Sequence, residues 1–429
     1  MRGSPLFRTP PASRVGDMSE AVVDPDRYTP ASAPEPDLSP TPPTPLTPVR
    51  SWLAVTAVAV GTFTVVSTEM LPVGLLTPIS QGLNVSDGTT GLALTLAAVV
   101  AAFAAPAVLV AAKRLDRRIV LAAMMVLLLV ANTVSALAQN FAMLLVARLL
   151  VGASIGGFWA IGASLATRLV PERSVGRATA LIFGGVSVAS VVGVPTGTLI
   201  GEYAGWRVAF AAMAVLSAAV LVALLLVLPP LPPGRAVRLG EIPALLRRGS
   251  VRVGVVGLVL VIAGHFGAYT YVRPILEDVA DLGPGPIGGL LLGYGVAGIV
   301  GNFVAGAYVG RGPHATLALA AGLLTAAVVG LAVAGAWTPG TVVAMAGWGV
   351  AYGAVPVALQ GWMLRSAPDA PEAASAVFVT GFQVAISLGS LLGGVAVDAV
   401  STSSVLWFGA LLAGATALLA GAAGRRART

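Results

Sequence analysis

Glu69 draws attention because of where it sits. From Trp52 to Thr68 no residue carries a charge, and the next acid after Glu69 is Asp87. A carboxyl inside so long an apolar run is rare and costly. In a membrane span it marks a proton relay, a solute contact, or an acid hydrogen-bonded between helices. Two other ionisable groups share the setting: Arg148 in "LLVARLLVGASIGG" and His265 in "VLVIAGHFGAYTYVRP". A guanidinium facing the carboxylate would lower the cost of burying both and tie the carboxyl's proton affinity to their separation. The same two residues also suit a static salt bridge between helices. Counting favours a meeting: Glu69 lies 17 residues past Trp52 and Arg148 lies 20 residues before Arg168. At about 1.5 Å per residue their depths are similar. His265 can titrate or hydrogen-bond a solute, or rest as a neutral imidazole satisfied by a neighbouring helix.

The elements that must hold these groups follow from composition. The chain has 429 residues, 57% hydrophobic and only 10% charged. Soluble domains carry about 25% charged residues, so the chain reads as an all-α integral membrane protein. It has no cysteine and only two histidines, His265 and His314. That removes disulfides and thiolate metal sites, and most zinc chemistry with them. No metal or cofactor is expected, nor is a catalytic constellation. The net charge of +7 is read as basic loops against a membrane rather than a nucleic-acid surface.

Runs of about 20 apolar residues suit bilayer-crossing helices. Twelve are expected, over 52–79, 88–112, 118–138, 141–168, 174–201, 206–229, 251–273, 286–309, 314–335, 339–365, 372–400 and 402–423. Basic residues gather in "KRLDRR" (113–118), "RLVPERSVGR" (168–177), Arg235 to Arg252 and "RRAR" (425–428). The alternate breaks hold Asp87, Glu202, Glu277, Asp278 and Asp281, with only Arg207 and Arg273 basic. The positive-inside bias therefore places both termini in the cytoplasm.

The break at 230–250 divides the spans into two sets of six, giving a bundle at 51–229, a cytoplasmic linker, a bundle at 251–424 and a basic end at 425–429. Residues 1–50 hold 12 of the 30 prolines and no apolar periodicity. They are expected to be a disordered cytoplasmic tail with nothing functional required before Val49. Span five, "GGVSVASVVGVPTGTLIG", and span eleven, "GFQVAISLGSLLGG", echo each other in small residues spaced four apart, which lets backbones approach in lipid. Two bundles of this kind suit alternating access around a mid-membrane site.

Several motifs together carry a resemblance. They are "STEMLPVGLLTPIS", "RLLVGASIGGFWAIGASLATRLVPERSVGRA", "GVPTGTLIGEYAGWR" and "HFGAYTYVRPILE". The chain resembles the major facilitator superfamily over about residues 50–425, and within it the twelve-helix drug:H⁺ antiporter branch. The likeness is greatest to bacterial purine ribonucleoside efflux permeases and arabinose-type sugar-efflux transporters. The resemblance implies a proton-coupling role for Arg148 in "RLLVG" and for the acid Glu69. It also implies an exporter-type motif at Gly193, Pro195 and Gly197. The cytoplasmic loop departs from the family's GxxxDRxGRR pattern, with Lys113 in place of the aspartate and Asp116 in place of a glycine, followed by Arg117 and Arg118.

Trp159, Tyr269, Trp348, Tyr352 and Gln383 are candidates to line a solute cavity; Asn132, Asn302 and Gln360 are further amide candidates, with packing hydrogen bonds between helices as the alternative for all the amides. Aromatics in spans also serve as packing or interface anchors. "GYGVAG" (293–298) and "GASIG" (152–156) mimic soluble-enzyme motifs but lie within spans, where small residues pack helices. The expected activity is export of a small organic solute, a nucleoside, sugar or drug-like molecule, in exchange for protons. The chain is expected to act as a monomer in the bacterial cytoplasmic membrane. A proton-coupled uptake permease and a membrane-embedded solute sensor are the competing readings.

Overall fold

The computed structural model describes residues 48–111, 115–232 and 242–426. These described residues form one compact unit. The Pro-rich tail up to residue 47, Lys113 and most of the central linker lie outside the described residues. Twelve helices among the described residues are long and apolar enough to cross a membrane. The chain is an all-helical, multi-pass protein.

The first six spans are built from α1 (Pro48–Gly74), α2 (Leu76–Leu83), α3 (Asp87–Ala111), α4 (Arg117–Ala136) and α5 (Phe141–Leu169). They are completed by α6 (Val175–Val188), α7 (Val194–Ala204) and α8 (Trp206–Val227). After the short α9 (Ile242–Leu246), the second six comprise α10 (Gly249–Tyr269), α11 (Val272–Asp278) and α12 (Pro284–Val309). They continue with α13 (Pro313–Ala334), α14 (Thr338–Ser366), α15 (Pro371–Ala399) and α16 (Ser404–Arg426).

Two spans are shorter than their apolar runs. Span one was expected to reach residue 79 and span seven residue 273, but α1 stops at Gly74 and α10 at Tyr269, each followed by a separate short helix. Pro78 and Pro274 explain both breaks. A proline has no N–H to offer the carbonyl four residues earlier, which here belongs to Gly74 and Thr270. Span five is interrupted in a related way. Pro195 cannot bond the carbonyl of Val191, and the helix widens into a π turn over Ala189–Gly193 before α7 resumes.

Each set of six packs mainly on itself. In the first, α1 leans on α5, α6 and α8, α3 lies along α5, and α4 lies along α5 and α8. In the second, α10 lies between α15 and α16, α12 lies along α14, and α13 between α14 and α16. Across the seam α3 meets α15 and α7 meets α12. The apolar core crosses it as well: Val73, Leu76, Leu94, Ala98 and Val194 share one buried cluster with Tyr269, Tyr271, Leu291 and Trp348.

The glycines spaced four apart are slots. A Cβ at Gly193, Gly197 or Gly201 would collide with Ser67 or Leu71 of α1 or with Leu75 just past its end, respectively, three residues with the same spacing. Gly389 and Gly393 receive the backbone of Ala263 and Gly267 on α10 in the same manner. Span five on span one and span eleven on span seven are therefore equivalent contacts in the two halves. The enzyme-like motifs are helix packing too: Gly152 and Gly156 face the carbonyls of Ala97 and Ala101, and Gly295 faces Ser190 and Val191.

Candidate solute and proton site

Three consecutive residues of α1 reach three different neighbours, because successive positions on a helix point about 100° apart. Ser67 packs against Gly193 of span five. Thr68 Oγ1 accepts from Asn132 Nδ2 of α4 at 3.1 Å. Glu69 turns to the seam, where its Oε1 accepts from Gln383 Nε2 of α15 at 3.2 Å. Glu69 is 5% exposed and Gln383 8%. The acid in span one thus links the two sets of helices through a neutral amide.

Arg148 does not pair with it. The arginine is fully buried and donates from Nη1 to the backbone carbonyl of Thr68 at 3.2 Å and from Nη2 to Ser135 Oγ at 3.0 Å. Its guanidinium lies 5.0 Å from the Phe210 ring centroid. Among the described residues the ion pairs are Arg248–Asp369 and Arg273–Glu277. The expected Glu69–Arg148 pair is absent from this conformation. The reason is local: Pro72, inside α1, has no N–H for the carbonyl of Thr68. Arg148 supplies the donor that the proline withholds.

Arg273 does the same six residues further on. Its Nη1 donates to the Gly74 carbonyl at 3.0 Å, the one freed by Pro78, and its Nε donates to Glu277 Oε1 at 2.8 Å. Glu277 Oε2 in turn accepts from Thr77 Oγ1 at 2.6 Å. On the neighbouring pair of helices, Asp398 Oδ1 accepts from Gly88 N at 3.0 Å and Oδ2 from Ser86 Oγ at 2.6 Å. A cation therefore sits at the C-terminus of α1 and a carboxylate at the N-terminus of α3, both supplied from the second set. Each sign suits the helix dipole it meets. Ser390 Oγ donating to the Gly91 carbonyl at 3.0 Å adds another link.

These contacts lie toward the ends of the spans that carry the acidic breaks. At the basic ends the hydrogen bonds described stay within one set. Asp116 caps α4 through Arg118 N and accepts from Leu231 N with both oxygens. Arg118 reaches the Leu225 carbonyl and Arg168 the Pro232 carbonyl. Arg117 is buried. In the second set Arg248 grips Asp369 with two bonds of 2.6 Å each. These bonds hold the Asp369 carboxyl down at about 2 and raise the Arg248 guanidinium above its ordinary value. The departures at Lys113 and Asp116 thus have a partial account: Asp116 is a helix cap that ties the loop to the end of span six.

On the second set, aromatic rings form a column. Tyr352 stacks on His265 with centroids 3.5 Å apart, His265 on Tyr269 at 5.0 Å, and Tyr269 on Tyr294 at 4.8 Å. Trp348 stands edge-on to His265, Tyr269 and Tyr294 and donates from Nε1 to His265 Nδ1 at 3.0 Å. Tyr352 is half-buried at one end of the column, and Phe382, beside Gln383 on α15, packs on Phe266, which meets His265 and Tyr352 edge-on. The structure therefore brings Glu69, Gln383, His265, Tyr269, Trp348 and Tyr352 into one neighbourhood at the seam.

It leaves others apart. Trp159 lies 11 residues past Arg148 on α5 and rests on Phe183. Asn132 and Gln360 make packing bonds, the latter to Ser375 Oγ at 3.0 Å, and Asn302 is exposed. Gly193 and Gly197, with Pro195 between them, shape the contact of span five with Ser67 and Leu71 of span one. Sequence reasoning missed Tyr294, hidden in a run of small residues, and the contacts of Arg273 and Asp398. The signals for those contacts were Pro78 and Pro274 near the ends of equivalent spans, and an acid just inside the end of span eleven.

The sequence pattern of the Major Facilitator Superfamily matches residues 58–390. The purine ribonucleoside efflux pump NepI of Escherichia coli strain K12 is 35% identical over 372 residues, which cover 86% of this chain and 93% of the pump. The pump of the same name from Shigella dysenteriae serotype 1 is 35% identical over 370 residues, 86% of this chain and 94% of the pump. Among solved structures, a bacterial homolog to the human lysosomal transporter Spinster, in an inward-facing and unoccupied conformation, superposes with a TM-score of 0.65. That match has 15% identity and covers 89% of this chain and 96% of the other. The chain, with its twelve spans, is a transporter belonging to the Major Facilitator Superfamily.

Proposed function

We propose that the protein exports a purine ribonucleoside or a closely similar planar solute in exchange for protons, with Glu69 carrying the coupling proton. The observation that carries this reading is the link from Glu69 to Gln383 beside the aromatic column. It puts a buried carboxyl on one set of helices in contact with the other set and next to rings that can stack on a heterocycle. A carboxyl that changes partners as the sets move apart takes up a proton in one state and releases it in the other. The similarity to purine ribonucleoside efflux pumps over 86% of the chain supports the solute class and the outward direction.

In this reading the two sets, 51–229 and 251–424, are the moving bodies, and the basic ends face the cytoplasm by the positive-inside rule. Arg273, Glu277 and Asp398 then close the outer side, and the conformation is one that opens inward. Transition to the outward-open state breaks these bonds, and Glu69 and Gln383 separate.

The test is uptake of radiolabelled inosine, guanosine and adenosine into inside-out membrane vesicles, with and without a pH gradient acid inside. Concentrative uptake that collapses with the gradient is expected. Accumulation driven only when the opposite face is acid would identify an uptake permease instead, and binding without flux would favour a sensor.

A further inference from the structure

The column around His265 fixes more than its position. The Trp348 Nε1–H can only donate, and it reaches His265 Nδ1 at 3.0 Å. Nδ1 must therefore be unprotonated, and the imidazole is neutral with its proton on Nε2. Tyr352 and Tyr269 cover both faces of the ring, and Phe266 packs edge-on at 4.8 Å. The ring is 2% exposed, so it cannot flip to exchange its nitrogens without dismantling the column. Nε2 is buried and has no hydrogen-bond partner among the described residues, and the hydroxyl of Tyr294, two rings along, is in the same position.

We infer that His265 is a hydrogen-bond donor to the solute, locked in its Nε2–H tautomer by Trp348, and is not a proton carrier. The inference rests on the solute-export reading above. Two buried donors on one aromatic column suit a planar heterocycle with a ring-nitrogen acceptor at its edge. A solute with donors only at that edge would face Nε2–H donor to donor and be rejected, because a buried donor left unmatched is costly. Protonating His265 would place a hydrogen on Nδ1, against the Trp348 N–H. The titratable groups around it are the phenols of Tyr269, Tyr294 and Tyr352, and Glu69 beyond Tyr352. Of these Glu69 is the group suited to exchange a proton with water.

Two measurements test the inference. The first needs no solute. In protein labelled with ¹⁵N-histidine and carrying His314→Asn to leave one signal, His265 should show one pyridine-type nitrogen and one protonated nitrogen, unchanged from pH 6 to 8. Replacing Trp348 with Phe should release that preference. A His265 that titrates in this range, or carries its proton on Nδ1, overturns the inference.

The second compares inosine with its 3-deaza and 7-deaza analogues, each lacking one ring acceptor. His265→Phe keeps an aromatic ring and should raise the KM for inosine about tenfold with a smaller change in kcat. At least one deaza analogue should lose the same factor in the wild-type protein and nothing further in His265→Phe. His265→Gln, whose amide N–H lies near the Nε2 position, should recover part of the loss. Undiminished discrimination between inosine and both analogues in His265→Phe contradicts the inference. If the wild-type protein carries no nucleoside at all, the solute class proposed above fails, and the ¹⁵N spectrum still decides the state of His265.

Discussion

Arg148 donates to the carbonyl of Thr68 at 3.2 Å, the carbonyl that Pro72 leaves without a helical donor. The arginine therefore holds the backbone immediately before Glu69, and the direction in which that acid points depends on it. Arg148→Ala should cut transport tenfold or more at matched expression. It leaves the carbonyl of Thr68 unmatched in a buried site, at about 1–3 kcal/mol, while the hydroxyl of Ser135 keeps its bond to the Ala131 carbonyl. Arg148→Lys keeps the charge but not the planar fork, so its activity should fall between the two. Pro72→Ala restores an N–H to the helix and should partly rescue Arg148→Ala. Strict additivity of the two substitutions in rate and in thermal stability would show that they do not act on one carbonyl.

The contacts at the acidic ends predict a shift in population. Arg273→Ala or Asp398→Ala removes a charge that one set places at a helix end of the other. The chain has no cysteine, so spin labels at Gln81→Cys and Ser401→Cys report the gap between the sets without background. Either substitution should add a longer-distance population to the double electron–electron resonance distribution. A distribution identical to that of the labelled parent would deny the contacts any part in holding this end closed.

The glycine slots predict where bulk is not tolerated. Gly197→Val drives new carbons into Leu71 and should cost about 1–3 kcal/mol by overpacking, read as a lower unfolding temperature in detergent. Leu71→Ala in the same chain should return part of that stability. Gly306, with open space around it, is the control: Gly306→Ala should leave the unfolding temperature within a degree or two.

The Arg248–Asp369 bridge predicts an absence of pH dependence. Asp369 is held at about 2 in the folded protein, below the ordinary carboxylate range. A depressed carboxyl contributes its stability above the unfolded value, and that contribution is lost as pH falls toward the folded one. Asp369 is therefore ionised throughout pH 5–8, and Asp369→Asn should leave the shape of the transport–pH profile in that range unchanged. A shifted profile would mean that the bridge takes part in coupling.

The spans were legible because continuous apolar runs and short breaks leave few alternatives in a bilayer. Glu69 was legible for the same reason, as one acid where none is affordable. What its side chain meets was not. Depth along two helices placed Arg148 near it, but neighbouring positions on a helix differ by about 100° in direction. Depth alone cannot distinguish the carboxyl of residue 69 from the carbonyl of residue 68. The prolines were visible too, but a proline inside a span can be absorbed, as at Pro72, or can end the helix, as at Pro78. An arginine from another helix answers the freed carbonyl in both cases, and the local sequence does not distinguish the two outcomes. The aromatic column was hidden most completely, since its rings come from three helices, α10, α12 and α14, whose packing no local pattern records.

The account turns on Glu69 as the coupling acid, and Glu69→Gln tests it most directly. The amide keeps the size of the side chain and can still hydrogen-bond Gln383, but it cannot release a proton. Purified protein in liposomes is given labelled inosine with and without an imposed pH gradient, and exchange of labelled for unlabelled solute is followed alongside. The account predicts that Glu69→Gln still exchanges inosine across the membrane and no longer concentrates it when the gradient is applied. Concentration of inosine by Glu69→Gln at the wild-type level, dependent on the proton gradient, would contradict it.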